Sequence, residues 1–138
     1  MEIRVARSRA LSPARRDDMI ERIRSIREQG KEIVMVDLSN CRPSEVETVA
    51  RNFPAYVTKR NRGSVLVLVD FSGASVDKET VRTMKESAVF DKPYINRSAW
   101  IGAQNFPREF HKEITTFSRR EMPIFNSRQE AVDWLVQN

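Results

Sequence analysis

Two short segments of the sequence carry the same arrangement of an aspartate and a serine separated by one residue. Asp37 and Ser39 follow one apolar run, and Asp70 and Ser72 follow another. A carboxylate beside a hydroxyl usually forms hydrogen bonds within its own turn. Two carboxylates at neighbouring strand ends can instead hold a metal ion or share a proton. These segments are therefore the first place in the chain to look for chemistry.

The apolar runs before these aspartates indicate the elements that position them. Residues 33–36 and 65–69 are continuous apolar stretches, which are typical of strands buried on both faces. Such strands belong to α/β sheets, whose functional groups lie just beyond the strand ends. Asp70, Ser72 and Gly73 would lie there, with Ser75 leading into a helix that opens near Asp77.

Hydrophobic spacing and helix start and stop signals predict an alternation of helices and strands. Gly30 is predicted to end the first helix, and Pro54 to end or kink the second. The predicted helices cover residues 13–29, 43–57, 77–90 and 106–117, with a last one capped by Asn126 or Ser127; the predicted strands cover 33–36, 64–69, 98–102 and 122–125. This order predicts an α/β domain with a mainly parallel or mixed sheet.

Length and composition favour one folded domain. The chain has 138 residues, of which 40% are hydrophobic and 31% charged, as in water-soluble globular proteins. We expect a single domain over residues 13–138, preceded by a basic arm or edge strand over residues 1–12. The chain shows no secretory signal and no apolar run of the roughly 20 residues that a membrane span needs. Cys41 is the single cysteine, so a reducing cytoplasm is the simplest location.

The positive charge is concentrated at the start of the chain. The net charge is +5, and residues 1–31 hold nine Lys and Arg against five Asp and Glu. Such a segment could meet nucleic acid, an anionic membrane or an acidic partner, or it could be a solvated arm and helix face. The basic residues Lys59, Arg60 and Arg62, with Arg119 and Arg120, are interpreted as solvated turn residues. Nucleic acid is not an expected partner.

The chain offers little for catalysis or metal binding. His111 is the single histidine, and one histidine with one cysteine does not predict a metal site built on these ligands. With four glycines, the chain has no Gly-rich phosphate loop, and it has no Gly-x-Ser-x-Gly nucleophile elbow. We therefore predict no catalytic residues, no metal and no cofactor.

Three phenylalanines recur at helical spacing near the end of the chain. Phe106, Phe110 and Phe117 are most simply core residues. If part of the stripe is exposed, it is instead a homodimer face or an apolar pocket for a small ligand. Both alternatives stay open at the level of sequence.

The order and spacing of several motifs resemble those of small, stand-alone bacterial STAS-like proteins. STAS denotes the sulfate-transporter and anti-sigma-factor-antagonist domain. The resemblance spans roughly residues 30–137 and rests on the segments Gly30–Ser39, Gly63–Gly73, Lys92–Tyr94, Ala99–Gly102 and Arg128–Leu135. It implies a mixed four- or five-stranded sheet with helices packed mainly on one side, and no established enzymatic activity.

The resemblance also implies a role for the second aspartate–serine segment. In anti-sigma-factor antagonists, a serine in an Asp-Ser-Ser-Gly turn at a helix N-terminus is phosphorylated by a partner kinase. Aligned on Asp70 and Gly73, Ser72 takes the phosphoacceptor position, and Phe71 replaces the first serine. The resemblance therefore implies a non-enzymatic domain that contacts a protein partner around Asp70–Asp77, with Asp37–Asn40 beside it. A broader likeness to lipid-carrying CRAL-TRIO domains implies apolar-ligand binding as the alternative.

Overall fold

A five-stranded mixed sheet forms the centre of the protein. The structure is a computed structural model that describes residues 21–138. The strands lie in the order of the chain: β1 (Ile23–Glu28), β2 (Lys31–Asp37), β3 (Val65–Asp70), β4 (Ile95–Ile101) and β5 (Ile124–Phe125). Strand β1 runs antiparallel to β2, and the other neighbours are parallel. The predicted α/β fold with a mixed sheet is confirmed.

Within residues 21–138, helices cover both faces of this sheet, with three on one side and one on the other. They are α1 (Pro43–Val57), α2 (Lys78–Asp91), α3 (Arg108–Ser118) and α4 (Arg128–Leu135), with a short 3-10 turn over Lys92–Tyr94. The larger core lies beneath α1, α2 and α3 and contains Val46, Val81 and Ile114. The smaller core lies beneath α4 and contains Ala131 and Leu135. The prediction that helices pack mainly on one side is confirmed.

Strand β2 is apolar at four consecutive positions, 33–36, because both of its faces are buried. Val34 and Val36 join the core beneath α1–α3, whereas Ile33 and Met35 join the core beneath α4. Successive side chains of a strand point to opposite faces, so a strand covered on both sides needs apolar residues at every position. Within residues 21–138, no helix has both the length and the apolar character needed to cross a membrane.

The prediction of a helix over residues 13–29 is wrong where the structure describes it. Ile23–Glu28 form β1, and Glu28 pairs with Lys31 across a tight hairpin. Gln29 and Gly30 have positive φ angles of 53° and 81°. Positive φ at both central residues is typical of a type I′ turn, whose backbone twist matches that of the two strands of a hairpin. Gly30 therefore closes a hairpin rather than a helix. The predicted arm over residues 1–12 and the first part of the predicted helix lie outside the described residues.

Helix α1 continues past Pro54 to Val57, which matches the predicted range of 43–57. Of the two predicted effects of Pro54, an end or a kink, the end does not occur. Proline has no N–H, which leaves the Ala50 carbonyl without its usual helical donor. The Ser87 hydroxyl of α2 lies 3.2 Å from that carbonyl oxygen and 2.9 Å from Asp91 Oδ2, and it shares its single proton between these two acceptors. A side chain of the neighbouring helix thus replaces part of the lost hydrogen bond.

Candidate functional site

The two aspartate–serine segments form turns of the same construction. We call Asp37–Asn40 the first turn and Asp70–Gly73 the second turn. Asp37 Oδ1 accepts from the Ser39 amide at 3.0 Å and from the Ser39 hydroxyl at 2.6 Å. Asp70 Oδ1 accepts from the Ser72 amide at 2.9 Å and from the Ser72 hydroxyl at 2.6 Å. In each turn one carboxylate oxygen satisfies both donors of the serine, which fixes the backbone locally.

The two turns lie side by side and are hydrogen-bonded to each other. Asp37 and Asp70 are register partners at the carboxyl ends of β2 and β3. The Leu38 amide donates to the Asp70 carbonyl at 2.9 Å, and the Asn40 amide donates to the Ser72 carbonyl at 2.7 Å. The sheet's hydrogen bonding therefore continues beyond the ends of the strands and joins the two turns.

Two glycines allow the close approach of the backbone at this edge. Gly102 has a φ of +67°, and a Cβ at this position would overlap the Ser72 hydroxyl and lie 2.7 Å from Asp70 Oδ1. Gly73 has a φ of +71°, and a Cβ there would overlap the Asn40 side-chain oxygen. Sequence reasoning used Gly102 for the resemblance but missed its contact with the second turn. A glycine directly after a strand was the signal available.

The second turn is anchored from below and presents its serine to solvent. Phe71 is buried, with its ring centroid 4.4 Å from that of Trp100 and 4.9 Å from that of Phe106. Ser72, Gly73 and Ser75 are exposed. The phenylalanine that replaces the first serine of the related motif therefore acts as an aromatic anchor for the turn.

The electrostatic surroundings of the two aspartates differ. Arg22 Nη1 lies 3.8 Å from Asp37 Oδ1 and donates to the carbonyls of Asp37 at 3.2 Å and of Ser39 at 2.9 Å. Burial acts to raise the pKa of Asp37, but the Ser39 hydrogen bonds and the positive charge of Arg22 outweigh it, so the pKa is lowered. Within residues 21–138, no cationic side chain lies within 4.0 Å of the Asp70 carboxylate.

Ser72 does not lie at the N-terminus of helix α2. The helix begins at Lys78, and its N-cap is Asp77, which accepts from the Thr80 amide at 2.9 Å and the Thr80 hydroxyl at 2.8 Å. Gly73–Val76 separate Ser72 from this N-cap. Ser72 therefore differs from the serine of the related motif, which lies at a helix N-terminus, because here the Asp77 carboxylate occupies the helix end.

The paired aspartates do not form a metal site. Each carboxylate turns to its own serine, and in the described part of the chain no three His, Cys, Asp or Glu side chains come together as a metal site would require. His111 lies elsewhere: its Nε2 is 2.8 Å from the Met122 carbonyl, and its ring contacts Trp100 edge-on at 4.8 Å.

Phe106, Phe110 and Phe117 differ in their surroundings. Phe106 precedes helix α3, is buried and packs on Phe71 and Trp100. Phe110 lies on the helix and is partly buried at the edge of the same core. Phe117 is 56% exposed, with the Lys85 ammonium 4.9 Å from its ring centroid. The apolar ligand site at these three residues stays a prediction.

Comparison with known proteins identifies the fold. No family model and no curated protein matches the chain. The chain is similar to the crystal structure of an uncharacterized protein from the DUF3478 family with a SpoIIAA-like fold, from Shewanella loihica PV-4. The TM-score is 0.64 at 15% sequence identity, over 82% of this chain and 91% of that chain. This protein therefore has a SpoIIAA-like, or STAS-like, fold.

Proposed function

We propose that this protein is a non-enzymatic interaction domain that contacts a protein partner through Asp70–Asp77, with the first turn beside it. The observation that carries this proposal is the exposure of Ser72 and Gly73 on a turn whose backbone is fixed by Phe71 beneath it and by hydrogen bonds to the first turn. A rigid polar surface loses little conformational entropy on binding.

Phosphorylation of Ser72 is the proposed switch of this surface. The Ser72 hydroxyl lies 2.6 Å from Asp70 Oδ1 and donates to it. A phosphate on that oxygen removes the donor and adds close to two negative charges beside the carboxylate. Repulsion would open the second turn, and the bond from the Asn40 amide to the Ser72 carbonyl carries the change to the first turn.

The absence of enzymatic activity is part of the proposal. The Asp70 carboxylate is engaged by Ser72, so it is not placed as a general base for an incoming substrate. The single histidine is bound to a main-chain carbonyl beside Trp100.

Native mass spectrometry of the protein purified from its own cells tests the proposal. Three chains are compared: wild type, Ser72→Glu and Ser64→Glu. Ser64 is a matched control, because it is an exposed serine at the opposite end of β3 whose hydroxyl donates to the Asn61 carbonyl at 2.6 Å.

We expect a stoichiometric protein complex with wild type and Ser64→Glu, a clear loss of that complex with Ser72→Glu, and phosphate mapped to Ser72 in part of the wild-type protein. A complex that survives Ser72→Glu unchanged would overturn the assigned surface. A wild-type chain that is always unmodified at Ser72 would overturn the switch.

A further inference from the structure

The larger core is not completely filled. A cavity of about 100 Å³ lies between the sheet and helices α1, α2 and α3. Most of its lining is apolar and includes Val49 and Phe53 of α1, Val67 of β3, Trp100 of β4 and Ile114 of α3. Well-packed cores leave few voids larger than a water molecule, so a cavity of this size is a specific feature of the fold.

Part of the lining is polar, although it is deep in the protein. Asp91 is 2% exposed and Ser98 is 3% exposed. The Ser87 hydroxyl donates to Asp91 Oδ2 at 2.9 Å, and Arg120 Nη2 donates to the Ser98 hydroxyl at 2.6 Å. All four of these residues line the cavity. An apolar chamber with a few polar groups is the usual composition of a small-molecule site.

One atom of this polar group lacks a partner. Asp91 Oδ1 is buried and has no hydrogen bond within the part of the chain that the structure describes. Arg120, the nearby cation, donates to the Ala88 carbonyl and to Ser98 instead. A buried acceptor without a donor is unfavourable, so a donor supplied by a ligand would be bound selectively.

We propose that this cavity binds a small neutral amphiphile, namely a compact ring or short chain that carries one hydroxyl and donates it to Asp91 Oδ1. The volume limits the apolar part: an engineered apolar cavity of about 150 Å³ takes benzene, and this cavity of about 100 Å³ is smaller, so a six-membered ring is the largest group expected and must displace side chains of the wall as it enters. A lipid acyl chain is too long for this space. Leu38 of the first turn and Phe71 of the second line the cavity with their side chains, whereas its polar group lies at Asp91, away from the exposed side of the turns. This inference goes beyond the proposed interaction function.

Phenol and benzene are suitable probes, because they differ by the one hydroxyl. Their affinities for the full chain are measured by NMR titration. We expect phenol to bind about tenfold more tightly than benzene, as a hydrogen bond to a charged acceptor would provide. Equal affinities, or no binding of either compound, would overturn the proposal.

Two variants separate the polar contact from the cavity itself. Asp91→Leu removes the acceptor and replaces it with an apolar side chain. Benzene should still bind, and the affinities of phenol and benzene should differ by no more than about twofold. Ala50→Leu adds carbon atoms to the cavity wall and should abolish the binding of both compounds. A thermal melt confirms that each variant is folded. A phenol preference that persists in Asp91→Leu would contradict the assigned contact.

Discussion

The two turns and the cavity place carboxylates in opposite surroundings. Asp37 and Asp70 each receive two hydrogen bonds from their own serine at the edge of the sheet. Asp91 is deeper, and one of its oxygens receives none from the described residues. The turns are thus complete without a ligand and are suited to contact at the surface. The cavity contains a polar group that a ligand could satisfy.

The pKa values of Asp91 and Asp37 move in opposite directions. Burial raises the pKa of Asp91 to about 6, although the Ser87 hydrogen bond and the charge of Arg120 oppose it. The pKa of Asp37 is lowered, because its hydrogen bonds to Ser39 and the charge of Arg22 outweigh the effect of burial. The stability of the two regions should therefore respond to pH with opposite signs.

The largest expected effect is the pH dependence of Asp91→Asn. The pKa of Asp91 is raised on folding, so its contribution to stability is complete below about pH 4 and is lost as the pH rises through about 6. Relative to wild type, the variant should gain about 2–3 kcal/mol in unfolding free energy between pH 4 and pH 8. Urea unfolding at several pH values measures this gain. If the unfolding free energies of the two proteins changed with pH in parallel, the pKa of Asp91 would not be raised by folding.

A substitution at Gly102 should break the second turn selectively. In Gly102→Ala the alanine must adopt the left-handed backbone conformation of Gly102, and its Cβ overlaps with Ser72. Together these effects should destabilise the fold by about 2–3 kcal/mol. Gly63→Ala is the matched control: its φ is +71°, but a Cβ there has nothing within 4 Å, so about 1 kcal/mol is expected. Thermal or urea unfolding measures both. Equal losses would mean that the second turn is not confined by Gly102.

Asparagine substitutions should show which of the two turn aspartates contributes more to the stability of the fold. Asp37→Asn removes the charge that Arg22 faces and should cost about 1 kcal/mol at pH 7, whereas Asp70→Asn should cost about half of that. Because the pKa of Asp37 is depressed, its contribution is present above about pH 4 and is lost as the pH falls further. The difference between Asp37→Asn and wild type should therefore shrink on acidification. If the difference in unfolding free energy grew on acidification instead, Arg22 and Ser39 would not stabilise the ionised form of Asp37.

The sequence predicted the parallel part of the fold well, and the reasons are physical. Strands buried on both faces produce continuous apolar runs. Of the two predicted caps for the last helix, Asn126 and Ser127, the structure has Ser127, which accepts from the Glu130 amide at 3.1 Å. Strand β1 was missed because Ile23 and Ile26 are three residues apart, a spacing typical of a helix. In the strand that spacing sends one side chain to each face of the sheet, so the two residues enter different cores.

The candidate sites were predictable to different extents. The two turns could be found because an aspartate and a serine recur after buried strands. Asp91 could not be found in this way, since an aspartate before Lys92 and Pro93 is simply read as the end of a helix. Its significance depends on Ser87, Ser98 and Arg120, which come from three separate segments and meet only in the folded chain.

Hydrogen–deuterium exchange of the complex isolated with its partner tests whether the two turns are the contact surface. We expect amide exchange to slow at Asp37–Asn40 and Asp70–Asp77 and to stay the same at the exposed residues Val89, Phe90 and Phe117. Protection confined to the surface around those three apolar residues, with both turns unchanged, would show that the partner binds α2 and α3 instead.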